Sequence, residues 1–226
     1  VVTNDCGYHI HVEVRDFSKS QIANLVATWM KIEPIIANAL PAHRICNKYC
    51  KFLNNYHKDF NNCDIKLSAD QFWEAIKPNL NGNFHAQRRV SLNVWNCACY
   101  FANQSDRLTV EFRFPEATLC ANDIKNWIRL LVVFVEFSRN KPFIKNTKKV
   151  NLQECLSLLG LSSYGDEYVI LSDGMLDTKE WLLNRILQYG YSKRICKESV
   201  CCLNNAFSPM REYNLSDECD VCFELI

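Results

Sequence analysis

Two hundred and twenty-six residues and 26.3 kDa fit one large domain, or one domain with a small appendage. A composition 48% hydrophobic and 23% charged is ordinary for a globular chain and excludes collagen, an acidic tail and a long disordered linker. The formal net charge of +1 recommends no nucleic-acid partner, and the most apolar stretch, Leu130–Val135, is far too short to span a bilayer.

Charge is unevenly placed. Residues 151–226 hold 6 Lys/Arg against 12 Asp/Glu, whereas residues 1–150 hold 20 against 13. A basic body with an acidic C-terminal piece suits binding of anionic small molecules, or carries no functional meaning. Six glycines are few, and neither a dinucleotide-binding fingerprint nor a P-loop is present. Thirteen cysteines, an odd number, fit a disulfide framework with a spare thiol or free thiols. Many lie inside hydrophobic patterns, so free thiols in a reducing, intracellular compartment are the expectation. No signal peptide is visible. The first residue is Val1 rather than methionine, which reads as processing or as a fragment of something longer.

Residues 8–15 alternate with period two, placing Ile10, Val12 and Val14 on one face and His9, His11, Glu13 and Arg15 on the other. Ser18 with Gln21 forms a capping-box pattern for a helix to about Leu40, with Ile22, Leu25, Val26, Trp29, Ile32 and Ile36 as its buried stripe. Pro34 is expected to kink it. A second helical stretch is expected over 42–55. A third should follow Ser68, again with Gln71 three residues on, and bury Phe72, Trp73 and Ile76. Two strands come next. Arg89–Trp95 turns Val90, Leu92 and Val94 inward against Arg89, Ser91 and Asn93, and Arg107–Phe114 opposes Leu108, Val110, Phe112 and Phe114 to Thr109, Glu111 and Arg113. A helix from about Asp123 to Arg139 should pack Ile124, Trp127, Ile128, Leu131 and Val135 on the sheet. The reading divides the chain into a core over 1–140, a linker over 141–150 and a small helical, cysteine-rich appendage over 151–226. Within the appendage, Asn151 with Glu154 and Asp177 with Glu180 read as helix starts.

Three strands thus place polar and ionisable groups opposite their apolar residues, in an α+β arrangement. A plain solvated face would favour Lys, Thr and Glu; this one offers two histidines, several arginines, an asparagine and carboxylates. His9 and His11 stand roughly 6–7 Å apart along the strand. That spacing suits metal or phosphate contact, or a solvated surface pair. Glu111 and Arg113 repeat it with a carboxylate beside a permanent cation, and Arg binds phosphoryl oxygens bidentately while Mg²⁺ takes carboxylate and phosphate oxygens.

The run Cys6-Gly7-Tyr8-His9-Ile10-His11-Val12 resembles the Gly-x-His-x-His strand of the amidoligase family, relatives of glutamine synthetase and glutamate–cysteine ligase. The resemblance continues through Asn24-Leu25-Val26, Trp29, Glu33-Pro34, Pro41-Ala42-His43-Arg44, and Asn47 with Tyr49-Cys50. It resumes at Arg89 with Asn93, at Leu108 to Arg113, and at Ala117-Thr118-Leu119, covering about residues 6–140. It implies an antiparallel glutamine-synthetase-like sheet with helices packed on one face. It also implies an ATP- and Mg²⁺-dependent ligase, with Mn²⁺ as an option, that activates a carboxylate as an acyl phosphate for attack by an amine. A peptide or protein substrate is one form this takes.

Carried over by motif, the resemblance implies His9 and Glu111 as metal ligands and His11 near the nucleotide phosphates, with Asn93 and Arg113 also on the cofactor. Arg113 and an arginine of the Arg88–Arg89 pair would stabilise the transferred phosphoryl group. Glu33, Arg44, Asn47 and Tyr49 would line the substrate side, although an internal Arg44–Glu33 ion pair explains those two equally well. The family also draws metal-binding carboxylates from strands before the His-x-His strand, and only six residues precede Gly7. Glu13 is a candidate substitute ligand. The expectation is therefore a fold without its N-terminal strands: an enzyme split or trimmed, a sequence lacking an N-terminal portion, or a scaffold whose catalysis is lost. In each case the sheet edge beside residues 8–15 calls for another chain or segment to cover it.

His43, Cys46 and Cys50 share a helical face and read as core residues more than ligands. In the tail, Cys196, Cys201, Cys202, Cys219 and Cys222 allow a zinc site or a disulfide. Trp29, Trp73, Trp127 and Trp181 read as core. The favoured function is carboxylate–amine ligation; the alternative is a catalytically inactive amidoligase-like subunit with a structural or binding role in a larger assembly.

Overall fold

The computed structural model describes residues 6–45, 47–53, 66–144, 150–162 and 171–190. The alternating run yields strand β1, Ile10–Glu13, and the second alternating run yields β3, Thr109–Phe112; between them lies the short β2, Leu92–Asn93. The three form an antiparallel sheet in the order β1-β3-β2. Its apolar face is a single surface because Ile10, Leu92 and Phe112 stand opposite one another in register. Lys51 bridges Val90 alongside β2, through the bonds from Lys51 N to the Arg89 carbonyl and from Ser91 N to the Lys51 carbonyl.

Helix α1, Lys19–Ile36, starts at Ser18, whose hydroxyl accepts from Gln21 N while the Gln21 side chain accepts from Ser18 N. Every residue of its expected stripe is buried. The helix runs through Pro34 to Ile36 and tightens into a 3₁₀ turn at Ala37–Ala39. Trp29, fully buried, lies edge-on to Phe112 at 5.1 Å and Phe114 at 5.7 Å, and against Phe134 at 5.5 Å. Phe134 belongs to α6, Ala121–Arg139, so α1 and α6 cover the same face of the sheet. Edge-on aromatic contacts add about 0.5–1.5 kcal/mol each to the area they bury.

The remaining elements are α2 (Ala42–Ile45), α3 (Ala69–Ile76, with the Ser68–Gln71 capping box), α4 (Phe84–Gln87), α5 (Trp95–Phe101), α7 (Leu152–Leu158, capped by Asn151 and Glu154) and α8 (Asp173–Arg185). α7 and α8 pack on α1 and α6, and Cys155, Leu156, Trp181 and Leu182 join the same hydrophobic cluster as the sheet. Asn24, buried in α1, donates to the carbonyls of Ser138 and Lys141 and accepts from Ile144 N, tying the exit of α6 to the core. No helix among the described residues is long and apolar enough to cross a membrane.

Several local expectations change. The strand expected over 89–95 shortens to two residues because Asn93 Oδ1 accepts from Trp95 N and turns the chain into α5. Cys97 is buried in that helix. The helix expected over 42–55 is one turn long; Asn47 Oδ1 then accepts from Tyr49 N, a local side-chain bond that competes with helix continuation. Ile128 faces solvent rather than the sheet, since the buried stripe of α6 runs through Trp127, Leu130, Leu131, Phe134 and Val135. α8 begins after Ser172, so Asp177 lies inside the helix rather than at its start. The four core tryptophans are buried as expected. Cys46, linker residues 145–149 and all five tail cysteines lie outside the described residues.

Candidate functional site

Antiparallel register decides which side chains meet on the polar face. Val14 N donates to the Leu108 carbonyl, so Val14, Val12 and Ile10 form the hydrogen-bonded pairs with β3. His11 and Glu111 are therefore a non-hydrogen-bonded pair, the closer type, with Cα atoms about 4.5 Å apart. On the other side, Arg113 N donates to the Ser91 carbonyl, which makes Glu111 and Asn93 a hydrogen-bonded pair. The same parity turns the main-chain groups of His11 and Glu13 away from β3. Among the described residues nothing pairs with them, whereas Lys51 flanks the β2 side.

Glu111 is the centre of the face. Only 2% of it is exposed. His9 Nδ1 lies 3.1 Å from its Oε1, Arg113 Nη1 donates to the same oxygen at 3.0 Å, and His11 Nε2 is 3.7 Å away. Its Oε2 accepts from Asn93 Nδ2 at 2.6 Å and from Arg88 Nη2 at 3.4 Å. Burial alone would raise the carboxyl. The hydrogen bonds from His9 and Asn93 and the charges of Arg113 and His11 prevail and hold it at about 2. Asn93 is fixed at both ends, its amide on Glu111 and its carbonyl on Trp95 N.

Cations outnumber that carboxylate. The Arg113 guanidinium is held below its ordinary value by burial, and further by repulsion from Arg88 and Arg44, with Glu111 pulling the other way. Arg88 Nε and Arg113 Nε are buried and have no hydrogen-bond partner among the described residues. Aromatic rings frame the group: Arg88 lies over Phe84 at 4.7 Å, and Arg89 over Tyr49 at 4.9 Å with Lys48 also on that ring. Phe84 and Tyr49 are both partly exposed. Such a face is rich in donors and poor in acceptors, which suits an oxyanion.

The other anticipated residues take different places. Glu13 is exposed and pairs with Arg15 at 2.7 Å. Glu33 is fully buried beneath the sheet, accepting from Leu53 N at 2.8 Å and from Ser91 Oγ, which in turn accepts from Trp29 Nε1 at 2.9 Å. Arg44, 1% exposed, donates from Nε to the Phe114 carbonyl and from Nη2 to the Arg113 carbonyl. Asn47 shapes its own turn. Among the described residues no three His, Cys, Asp or Glu side chains are grouped to hold a metal ion. The Mg²⁺ implied by resemblance would find its best carboxylate, Glu111, already bonded to the chain's own donors; the donor set fits an anion better than a divalent cation.

Sequence reasoning did not anticipate the cluster around Arg185 of α8. Its Nε donates to the Ala39 carbonyl at 3.0 Å, it pairs with Glu116 and, at 3.4 Å, with Asp123, and the rings of Trp127, Trp181 and Tyr189 surround it. Partners 62 and 69 residues upstream leave no local signal; only an arginine on the apolar face of a helix hints at them.

No curated protein and no solved structure matches the chain. The family model described as "Putative amidoligase enzyme" matches residues 1–135, more than half of the 226 and all three strands. The chain belongs to the amidoligase family.

Proposed function

We propose that this chain is a binding subunit of a larger assembly, an amidoligase-family member whose strand face receives an anionic group without completing a ligase centre of its own. The observation that carries the reading is the charge ratio on that face. One carboxylate is already held by His9, Asn93, Arg113 and Arg88, while the Nε atoms of Arg88 and Arg113 are buried without partners among the described residues. An oxyanion there would relieve the mutual repulsion of the arginines and satisfy donors that are otherwise costly to bury. The outer edge of β1 suits strand pairing with a partner chain. Buried thiols at Cys50, Cys97 and Cys155, pushed up by desolvation, act as small apolar side chains.

Family membership favours a second reading: ATP-dependent carboxylate–amine ligation through an acyl phosphate, on a peptide or protein, with Mg²⁺ or Mn²⁺. The sheet would then be the C-terminal part of a glutamine-synthetase-like sheet. His9, Glu111 and Glu13 would hold the metal, His11 and Asn93 would face the nucleotide, and Arg88, Arg89 and Arg113 would neutralise phosphoryl charge. Glu33, Arg44, Asn47 and Tyr49 would serve the substrate side.

Calorimetric titration with a non-hydrolysable ATP analogue separates the two. Binding that persists in EDTA and survives Glu111→Gln supports the binding subunit. Strictly Mg²⁺-dependent binding, lost in both His9→Ala and Glu111→Gln, overturns it in favour of the ligase.

A further inference from the structure

β1 and β3 meet most awkwardly at the ends that carry the site. Beyond Phe112 the ladder leaves its simple register: Tyr8 N donates to the Pro115 carbonyl, and Gly7 bridges Glu116. Arg113 keeps its rung to the Ser91 carbonyl on the β2 side, but on the β1 side it and Phe114 lie where the pairing shifts, so the strand pair that carries His9 does not by itself hold them in place. The carbonyls of both residues accept from one buried guanidinium, that of Arg44, through its Nη2 and Nε. A guanidinium is a planar fork, and two simultaneous bonds to neighbouring carbonyls fix position and direction together.

Gly7 completes the arrangement. A Cβ at that position would lie 2.5 Å from Arg44 Nη2 and 3.0 Å from Arg44 Cζ. The end of an arginine side chain ordinarily yields to such a contact. Here it is 1% exposed and bonded to two carbonyls, so yielding means releasing them. Glycine inside a strand pattern often marks a close approach of this kind.

We propose that Arg44 is the positioning residue of the anion-binding face, a buried clamp that fixes Arg113 on β3 and the entry to His9 on β1, with Gly7 retained to admit its guanidinium. The proposal rests on the anion-binding reading above. Arg44 touches no ligand in this role; it acts through the main chain under Arg113.

The test is calorimetric titration of inorganic pyrophosphate in EDTA, with melting temperatures, on the wild type, Gly7→Ala, Arg44→Lys, Arg44→Ala and the Gly7→Ala/Arg44→Ala double variant. Partial misfolding lowers the number of binding sites, whereas loss of positioning raises Kd at unchanged stoichiometry. Gly7→Ala and Arg44→Lys are each expected to raise Kd about tenfold, the loss of one well-placed charged contact. Gly7→Ala should also lower the melting temperature by about 5 °C, yet add nothing in the Arg44→Ala background, where its collision partner is gone. An unchanged Kd with only stoichiometry falling, or additive effects in the double variant, would overturn the positioning role alone. A wild type that takes up no pyrophosphate would overturn the anion-binding reading and the positioning role with it.

Discussion

Two arginine clusters in this molecule use similar parts and reach opposite outcomes. Around Arg185, two carboxylates, a carbonyl and three rings enclose one guanidinium that is 5% exposed. Around Glu111, two histidines and the guanidinium groups of Arg88 and Arg113 converge on one carboxylate, with Arg44 close enough to repel Arg113. The first cluster has an excess of acceptors and is sealed by packing; it holds α8 to α6 and to the turn after α1. The second has an excess of donors, and His9 and His11 stand partly in solvent. Balance between guanidinium and carboxylate, more than the presence of either, separates a structural lock from a face prepared for a ligand.

The largest effect should come from breaking the lock. Arg185→Ala leaves Glu116 and Asp123 facing the interior without their cation, and the loss of one partner from a buried pair typically removes about 3–5 kcal/mol. Urea unfolding measures it, and pyrophosphate affinity per folded molecule should be unchanged. A loss under about 1 kcal/mol would mean that the lock is ornamental and that aromatic packing alone secures α8.

Glu111 sharpens the comparison through pH. Its carboxyl is displaced from an ordinary 4.5 to about 2. A depressed carboxylate contributes stability that is present above 4.5 and lost as pH falls through the folded-state value, so the contribution fades between pH 4.5 and about 2. The displacement corresponds to roughly 3 kcal/mol. Denaturant midpoints of the wild type and Glu111→Gln should therefore converge on acidification, while a gap constant from pH 6 to pH 2.5 would show that Glu111 is not so held.

How far these regions can be read from sequence follows the range of the forces that build them. The capping boxes at Ser18–Gln21, Ser68–Gln71 and Asn151–Glu154 are three-residue chemistry, and each forms. Period-two alternation places His9, His11, Glu111 and Asn93 on one face before any coordinates, because a strand has only two faces. Length is less legible: the strand through Asn93 ends early because one side-chain carbonyl captures Trp95 N. Ile128 looks apolar enough for the core but sits one step round the helix from the stripe that α6 buries. The clamp and the lock are least legible of all. Arg44 meets its carbonyls 69 and 70 residues away, and Arg185 meets Glu116 across 69. Of the clamp, only Gly7 inside a run of branched and aromatic residues gave a local sign.

Binding offers a smaller and more discriminating effect. Glu111→Gln removes the counter-charge from a face already rich in cations, so pyrophosphate in EDTA should bind about tenfold more tightly at low salt, near 1.4 kcal/mol. The gain should shrink as ionic strength rises, as befits partly exposed charges. Weaker binding would mean that Glu111 organises the ligand directly, and the open cluster would then resemble the closed one more than its charge ratio implies.

The smallest effect locates the border of the open region. Tyr49 is 36% exposed and carries Arg89 at 4.9 Å on its ring, a contact worth about 0.5–1 kcal/mol at exposed sites. Tyr49→Leu keeps an apolar body under the guanidinium but removes the ring's negative face. If Arg89 belongs to the anion-binding group, its release should weaken pyrophosphate binding about two- to fivefold with no change in melting temperature. Tyr49→Leu should then add little in the Arg89→Ala background, where of the two cations on the ring Lys48 alone remains. Equal affinities in Tyr49→Leu and the wild type would place the border inside Arg89, confining the site to Arg88, Arg113 and the two histidines.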